Sequence, residues 1–238
     1  AYNKGKRVLS HFENWMGPET FRQGILSYIA AHRWGNAQAD DLWLALGAAS
    51  GKDVKAVMAG FTDQPGYPLV SVDVLPEGKV RLSQQRFAEH GQTLPPLTWR
   101  IPVGIKYSDG TRARTRTVLL SETERVVSLD AANGIAWVMP NLNAGGYYRW
   151  AVSGDVLIRL TANALQELTP AERIGLIGNL SGLLTAGVMD GKTFLESLSR
   201  FADDPEPLVI GAIIENLGNV RGSLISEDIE APFADEIR

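Results

Sequence analysis

Residues 64–74 read QPGYPLVSVDV, and the chain changes its structural pattern within this stretch. Before it, apolar side chains recur every three or four residues, which is the spacing of an amphipathic α-helix. After Gly66, valines at positions 70, 72 and 74 alternate with polar residues, which is the period of a half-buried β-strand. The stretch therefore predicts a boundary between a helical segment, residues 1–66, and a β-rich segment that begins at residue 67.

The segment 1–66 is predicted to contain four helices. Two apolar stripes with helical spacing mark the first two, and they consist of Val8, Leu9, Phe12, Trp15 and Met16, and of Phe21, Ile25, Tyr28, Ile29 and His32. Gly17-Pro18 separates these helices, because this pair of residues interrupts a helix. Asp40 or Asp41 is expected to cap a third helix, and residues 50–53 lead into a fourth.

Residues 67–148 are predicted to form a β-sandwich domain. Short alternating runs separated by turns fill this segment, and they lie near residues 70–74, 80–82, 99–107, 111–120, 126–129 and 135–139. Ser108-Asp109-Gly110 is a hairpin signal between two of them. Arg112, Arg114 and Arg116 are expected to be solvated strand residues.

Residues 149–238 are predicted to be helical. Thr169-Pro170-Ala171-Glu172 is a strong helix start, with a threonine cap, a proline in the first turn and a glutamate that completes a capping box. Asp190 is expected to cap a further helix, and Asp204-Pro205 opens the last one. Successive helices joined by short turns favour the start of an α-solenoid, a truncated helical array. The tail from Ile225 to Arg238 is acidic and poorly periodic.

Composition excludes several classes of protein. Apolar residues make up 45% and charged residues 21% of the 238 residues, as in ordinary globular domains. There is no cysteine, which excludes disulfides and thiolate metal sites. The formal charge of −4 is uneven, because residues 149–238 hold 7 basic and 14 acidic side chains. No segment is basic enough for nucleic-acid binding. No apolar run is long enough to span a membrane. The acidic balance of residues 149–238 could favour the binding of basic peptides.

The sequence carries no complete catalytic motif. Its histidines are His11, His32 and His90, and no two of them have the spacing of an H-E-x-x-H zinc helix. His32 lies on an apolar stripe, where a packing role is the simpler interpretation, and His90 is expected to be exposed in a polar loop. A nucleophile elbow and a phosphate-binding loop are also absent from the sequence. The chain alone is therefore expected to hold no metal and to be inactive.

Five local patterns occur along the chain in this order: Tyr2-Asn3-Lys4-Gly5 with Val8-Leu9; Phe21-x-x-Gly24-x-x-x-Tyr28-x-x-x-His32; Asp41-Leu42-Trp43-x-Ala45-Leu46; Gln64-Pro65-Gly66-Tyr67-Pro68-Leu69-Val70; and Pro140-Asn141 with Gly146-Tyr147-Tyr148-Arg149. Together they resemble the zinc aminopeptidases of the aminopeptidase N and puromycin-sensitive type, a gluzincin family. The resemblance covers essentially the whole chain. It implies a multi-domain α+β fold: the helical end of a thermolysin-like catalytic domain (1–66), a β-sandwich (67–148) and the first helices of a C-terminal α-solenoid (149–238).

The same resemblance implies a parent enzyme that uses zinc to remove N-terminal residues from peptides. The family's zinc ligands precede the Tyr2 motif, so the chain is expected to be a C-terminal fragment without the zinc-binding motif. One family residue transfers to this sequence: Tyr2 would donate a hydrogen bond to the oxyanion of the tetrahedral intermediate. Asn3 departs from the glutamate that is commoner after this tyrosine.

Two further expectations concern binding. An alternative to the enzyme is a non-catalytic binding or scaffolding protein that consists of the sandwich and the helical array. The surface of residues 1–66 that a missing catalytic half would cover is expected to expose apolar side chains. Exposed apolar patches favour association. The chain is therefore expected to self-associate through residues 1–66.

Overall fold

A computed structural model of the chain describes the backbone of residues 2–224 and the side chains of residues 4–222. The described chain begins with four helices, which are α1 (Tyr2–Met16), α2 (Pro18–Ala31), α3 (Ala39–Ser50) and α4 (Val54–Thr62). Six strands follow, namely β1 (Pro68–Leu75), β2 (Lys79–Arg86), β3 (Ile101–Ser108), β4 (Ala113–Leu120), β5 (Glu124–Ser128) and β6 (Trp137–Met139). A 3-10 helix, η1 (Leu142–Ala144), and strand β7 (Arg149–Val152) precede the last helices, α5 (Gly154–Glu167), α6 (Pro170–Thr185), α7 (Gly191–Ser199) and α8 (Pro207–Leu224).

The fold is a mixed α+β arrangement in which two small sheets lie between two groups of helices in sequence. One sheet has the strand order β5-β2-β1-β7 and the other has the order β4-β3-β6. β1 pairs with β2 in antiparallel fashion and with β7 in parallel, where Val70 lies opposite Trp150. The predicted change from helix to strand after Gly66 is confirmed, and Gly66 itself has a φ of 86°.

Local sequence signals account for most of the helix ends. Gly17 adopts a φ of 88° between α1 and α2, a conformation that glycine tolerates because it has no Cβ atom. The predicted capping box before α6 is confirmed: the Thr169 hydroxyl accepts from the Glu172 amide at 3.2 Å, and the Glu172 carboxylate accepts from the Thr169 amide at 2.9 Å. Asp190 caps α7 by accepting from the Thr193 amide at 2.8 Å.

Three details differ from the sequence-based predictions. The cap of α3 is Gln38 rather than an aspartate, and Asp41 instead accepts the Gln38 amide at 2.8 Å. Arg114 is not a freely solvated strand residue, since its guanidinium lies 2.9 Å from a carboxylate oxygen of Asp109. Strand β7 was not predicted, because four residues are too few to display an alternating pattern. The division into segments 1–66, 67–148 and 149–238 stays a prediction.

One contiguous apolar core joins α1, α4, both sheets and the last helices. The buried amide of Gln84 links the sheets across this core, because its Nε2 donates to the carbonyls of Trp99 and Glu122 at 2.8 and 2.9 Å. Its Oε1 accepts from the Trp99 amide at 2.8 Å. These hydrogen bonds fix β2 to the segment just before β3 and to the loop between β4 and β5, and they leave no amide atom of the buried side chain unpaired.

His11 is buried where α1 meets β3. Its Nε2 donates to the carbonyl of Pro102 at 2.9 Å, and its ring contacts Phe12, Phe61 and Tyr148. Burial lowers the pKa of His11 to about 4, although the hydrogen bond to Pro102 opposes this shift. The histidine is therefore neutral in the folded protein at pH 7, where it acts as a core residue with one polar contact.

Two buried ion pairs hold the N-terminal end of α6. Lys106 of β3 donates to the Glu172 carboxylate at 2.8 Å and to the Glu167 carbonyl at 2.6 Å. Arg173 contacts Asp204 at 2.7 Å. Burial on its own raises the pKa of Glu172, but hydrogen bonds from Lys106 and from the amides of Thr169 and Asn143 outweigh it, so the pKa lies below its usual range.

Within the described residues, no helix is long and apolar enough to cross a membrane.

We expect acid to destabilise the fold through His11. The pKa is about 4 in the folded protein and about 6.5 in the unfolded chain, so only the unfolded chain binds this proton between these values. This contribution is intact above pH 6.5 and is lost as the pH falls toward 4. Urea unfolding should show a loss of about 2 kcal/mol from this group between pH 7.5 and pH 5.

The comparison of His11→Gln with His90→Gln isolates this effect. Glutamine can still donate to the Pro102 carbonyl but binds no proton, so His11→Gln should remove about 2 kcal/mol of the pH dependence. His90→Gln is the matched control: it removes an exposed histidine and leaves the His11 contribution in place. If His11→Gln keeps the pH dependence of the unmodified chain, the buried neutral histidine is not its source.

Removal of the Glu172 side chain should strongly destabilise the protein. Glu172→Ala leaves Lys106 as a buried cation without its carboxylate, a change that costs about 3–5 kcal/mol. Glu167→Ala is the matched control, because Lys106 contacts only the main-chain carbonyl of that residue. Chemical denaturation at pH 7 measures both variants. Equal, small losses would show that the ion pair contributes little.

Candidate functional site

Tyr2, the residue for which a catalytic role is predicted, lies in the first turn of α1. Its side chain lies outside the described residues, so the prediction is not tested by a contact. α1 itself is described in detail from Lys4 onward. The described groups around this helix are those that position α1 and those that line the cavity beside it.

Asn14 attaches α1 to the segment that follows β6. Its Nδ2 donates to the carbonyl of Leu142 at 2.9 Å, and its Oδ1 accepts from Nδ2 of Asn143 at 2.9 Å. Gly145 lies so close to Asn14 that a Cβ atom there would come within 3.0 Å of the asparagine side chain. A larger residue at this position would require the Asn14 side chain to shift by a few tenths of an ångström, because the helix and the turn approach each other closely.

A cavity of about 480 Å³ lies between α1, the turn after η1, α6 and α8. Arg7 and Ser10 of α1 line it on one side, and Glu215 and Asn216 of α8 line it on another. Glycines and other small residues form the rest of the wall, and they are Ala144, Gly145, Gly146, Ala171, Gly175, Gly178 and Ala212, together with Ile174 and Arg149. Main-chain atoms are therefore accessible from the cavity, and its charged side chains are Arg7, Arg149 and Glu215.

A second cavity of about 230 Å³ adjoins the first and shares Arg7, Gly146 and Arg149 with it. Tyr67 and Tyr147 also line it, and their rings lie 5.8 Å apart. Partial burial raises the pKa of Tyr147, the neighbouring Tyr67 adds to this shift, and the charge of Arg7 opposes it. Tyr147 is therefore a neutral hydrogen-bonding group at pH 7.

Arg149 is half-buried between β7 and α6. Its Nη1 donates to the carbonyl of Gly178 at 2.7 Å. A Cβ atom on Gly182 would come within 2.6 Å of the guanidinium, so the arginine packs closely against α6 at this glycine. Arg7, by contrast, is exposed on α1. Within the described residues, neither arginine has a carboxylate within 4.0 Å.

The charge of the cavity differs from the average charge of the segment 149–238. Of its 14 acidic side chains, five lie in residues 225–238, outside the described residues. Glu172 and Asp204 pair with Lys106 and Arg173, away from the cavity lining. The lining itself holds two arginines and one glutamate, Glu215. The acidic composition of the segment therefore does not describe the surface that a ligand in this cavity would meet.

The histidines lie apart from this cavity. His11 is buried beneath α1, His32 lies 4.0 Å from a carboxylate oxygen of Asp41, and His90 is exposed. In the part of the chain that the structure describes, no three histidine or acidic side chains are close enough together to hold a metal ion. These residues therefore do not provide a zinc site.

Sequence patterns did not reveal the two arginines of the cavity. Arg149 is the last residue of the Gly146-Tyr147-Tyr148-Arg149 pattern, to which the family resemblance assigns no binding role. Arg7 lies between two residues of the first pattern, where nothing distinguishes it from a solvated helical arginine. Only the folded arrangement brings the two side chains to the same pair of cavities.

Comparisons with known proteins match both ends of the chain. The family model described as the peptidase family M1 domain matches residues 1–61, and the one described as the ERAP1-like C-terminal domain matches residues 137–238. Among curated proteins, the "Tricorn protease-interacting factor F2" of Thermoplasma acidophilum is 33% identical over 217 residues, which is 91% of this chain and 26% of that protein.

Two further relatives are named aminopeptidases. "Aminopeptidase 2" of Candida albicans is 26% identical over 100% of this chain and 26% of its own length. The "Puromycin-sensitive aminopeptidase" of Caenorhabditis elegans is 28% identical over 92% of this chain and 24% of its own length. The chain spans about a quarter of the length of the curated relatives it matches. By sequence, the chain is a relative of the aminopeptidases of peptidase family M1.

Proposed function

We propose that the whole protein containing these 238 residues is a zinc-dependent metallo-aminopeptidase, which removes N-terminal residues from peptides. The observation that carries the proposal is the pair of family matches, to the peptidase M1 domain at residues 1–61 and to the ERAP1-like C-terminal domain at residues 137–238. Relatives that align with most or all of the chain and are named aminopeptidases support it. Peptides are accordingly the proposed substrates.

The proposed architecture follows the same division as the sequence patterns. Residues 1–66 would be the helical end of a thermolysin-like catalytic domain, residues 67–148 a β-sandwich, and residues 149–238 the first helices of an α-solenoid. The two sheets with their common core and the four helices α5 to α8 support this arrangement.

Tyr2 is the proposed catalytic residue of this chain. A tyrosine has an ordinary pKa of about 10, so at pH 7 its neutral phenol can donate a hydrogen bond to the oxyanion of the tetrahedral intermediate. Zinc would polarise the same carbonyl group when bound. Because the described residues do not fit a zinc site, its ligands would have to come from another part of the protein, and the chain alone is expected to be inactive.

The test uses the whole protein and its Tyr2→Phe variant. We expect the whole protein to bind stoichiometric zinc and to hydrolyse aminoacyl nitroanilides. Loss of one oxyanion donor should lower kcat by roughly 10²–10³ while the zinc content stays the same. Tyr28→Phe, on the next helix, is the matched control and should keep kcat. The 238-residue chain alone should show no turnover.

The alternative function is a non-catalytic binding or scaffolding protein. Absence of zinc and of hydrolysis in the whole protein would favour this alternative over the enzyme. Full activity of Tyr2→Phe in an otherwise active enzyme would remove only the role of Tyr2. The measurement of zinc content, kcat and KM therefore separates the two parts of the proposal.

Self-association through residues 1–66 is also proposed. Four large apolar side chains of the α2–α3 region are at least half exposed, and they are Leu26, Ile29, Trp34 and Leu44. We expect the 238-residue chain to sediment as a concentration-dependent oligomer, since such patches favour association. Ile29→Ser with Trp34→Ser should shift it toward the monomer, whereas Leu208→Ser on α8, which is 69% exposed, should not. A monomer at every concentration would contradict the proposal.

A further inference from the structure

Arg7 and Arg149 lie where the two cavities beside α1 adjoin. Both side chains line the cavity of about 480 Å³ and also the cavity of about 230 Å³. They come from different parts of the fold, because Arg7 belongs to α1 and Arg149 begins β7. Asn14 of α1 is hydrogen-bonded to η1, η1 is hydrogen-bonded to Glu172 of α6, and Arg149 donates to Gly178 of α6, so the arrangement is a property of the packed fold rather than of one flexible loop.

The two guanidinium groups keep donors available for a ligand. Only Nη1 of Arg149 is engaged, by the carbonyl of Gly178, which orients the group but does not neutralise its charge. Among the described residues, Arg7 forms no ion pair. The buried ion pairs Lys106–Glu172, Arg114–Asp109 and Arg173–Asp204 include no residue of the cavity lining, so they do not occupy the two guanidinium groups.

The chemistry of such a pair of arginines favours a carboxylate. A guanidinium presents planar N–H donors whose spacing matches two carboxylate oxygens, and charge-assisted hydrogen bonds of this kind are stronger than neutral ones. The volume of the larger cavity is within the range of small-ligand pockets. Glycines along the wall leave backbone within reach of a ligand's main chain, as at Gly146 and Gly178.

We propose that this cavity binds the carboxylate of a peptide through Arg7 and Arg149. The carboxylate can be the C-terminus of the peptide or an acidic side chain, since both present the same group. The peptide nature of the ligand rests on the proposed aminopeptidase function, whereas the carboxylate preference rests on the two arginines. α1 carries both Arg7 and Tyr2, so the helix with the proposed catalytic residue also contributes to holding the substrate.

Glu215 provides a second test of the proposal, because its charge is opposite to that of the two arginines. This exposed glutamate of α8 lines the larger cavity but is not within 4.0 Å of either arginine. A bound carboxylate is repelled by it and attracted by the arginines. Its replacement should therefore strengthen binding of a carboxylate and leave binding of an uncharged peptide unchanged.

The experiment measures binding to the 238-residue chain by calorimetry, which needs no catalysis. Three N-acetylated peptides with an alanine-rich sequence are compared: one with a free C-terminus, its C-terminal amide, which is uncharged, and an amide that carries one internal glutamate. We expect the free acid or the glutamate peptide, or both, to bind about tenfold more tightly than the plain amide, as a hydrogen bond to a charged group provides. A rise in salt should weaken only the peptides with a carboxylate.

Variants locate the site. Arg7→Gln should weaken carboxylate binding by about threefold to fivefold, and Glu215→Gln should strengthen it by about twofold. Arg33→Gln removes the same charge from an exposed arginine outside both cavities and should have no effect. Equal affinity for acid and amide peptides, or equal effects of Arg7→Gln and Arg33→Gln, would overturn the proposal. Such a result would leave the aminopeptidase proposal intact, because that proposal is tested by zinc content and turnover.

Discussion

The Glu172 carboxylate is the group on which the arrangement of the chain depends. One of its oxygens accepts from Lys106 of β3 and from the Thr169 amide, and the other accepts from the Asn143 amide of η1. A single buried side chain therefore closes the first turn of α6, satisfies the lysine of a strand and holds the 3-10 turn. A buried charge is tolerated only when it is paired and hydrogen-bonded in this way.

The contacts of η1 extend this constraint to α1. Asn143 is held by Glu172 through its amide and by Asn14 through its side chain. The helix that carries Arg7 is thus connected, by two short polar steps, to the helix that lies under Arg149. The cavity between them has a defined shape because both of its walls are fixed to the same turn.

Local features of the sequence predicted the parts of the fold that depend on near neighbours. The stripe around Phe12, the stop at Gly17-Pro18 and the capping box of Thr169 and Glu172 each involve residues within one or two helical turns. The helix-to-strand change after Gly66 is equally local. These signals sufficed for the α+β class and for most element positions.

What the sequence did not predict depends on partners that lie far apart along the chain. Nothing near Glu172 indicates that its second partner is Lys106, 66 residues earlier. The role of His11 as a buried neutral residue follows from the Pro102 carbonyl, which only packing brings to it. The cavity arginines belong to the same category: each looks ordinary in its own segment, and their proximity arises from the tertiary fold.

The parallel pairing of β1 with β7 has a consequence for biosynthesis. β1 is complete at Leu75, but the strand that covers its second edge consists of residues 149–152. While residues 76–148 are being translated, a growing chain presents an edge with unpaired amides and carbonyls, rich in valine, to every other chain in its vicinity. Slow translation of that interval would prolong the exposure, so we expect it to lower the yield of correctly folded protein.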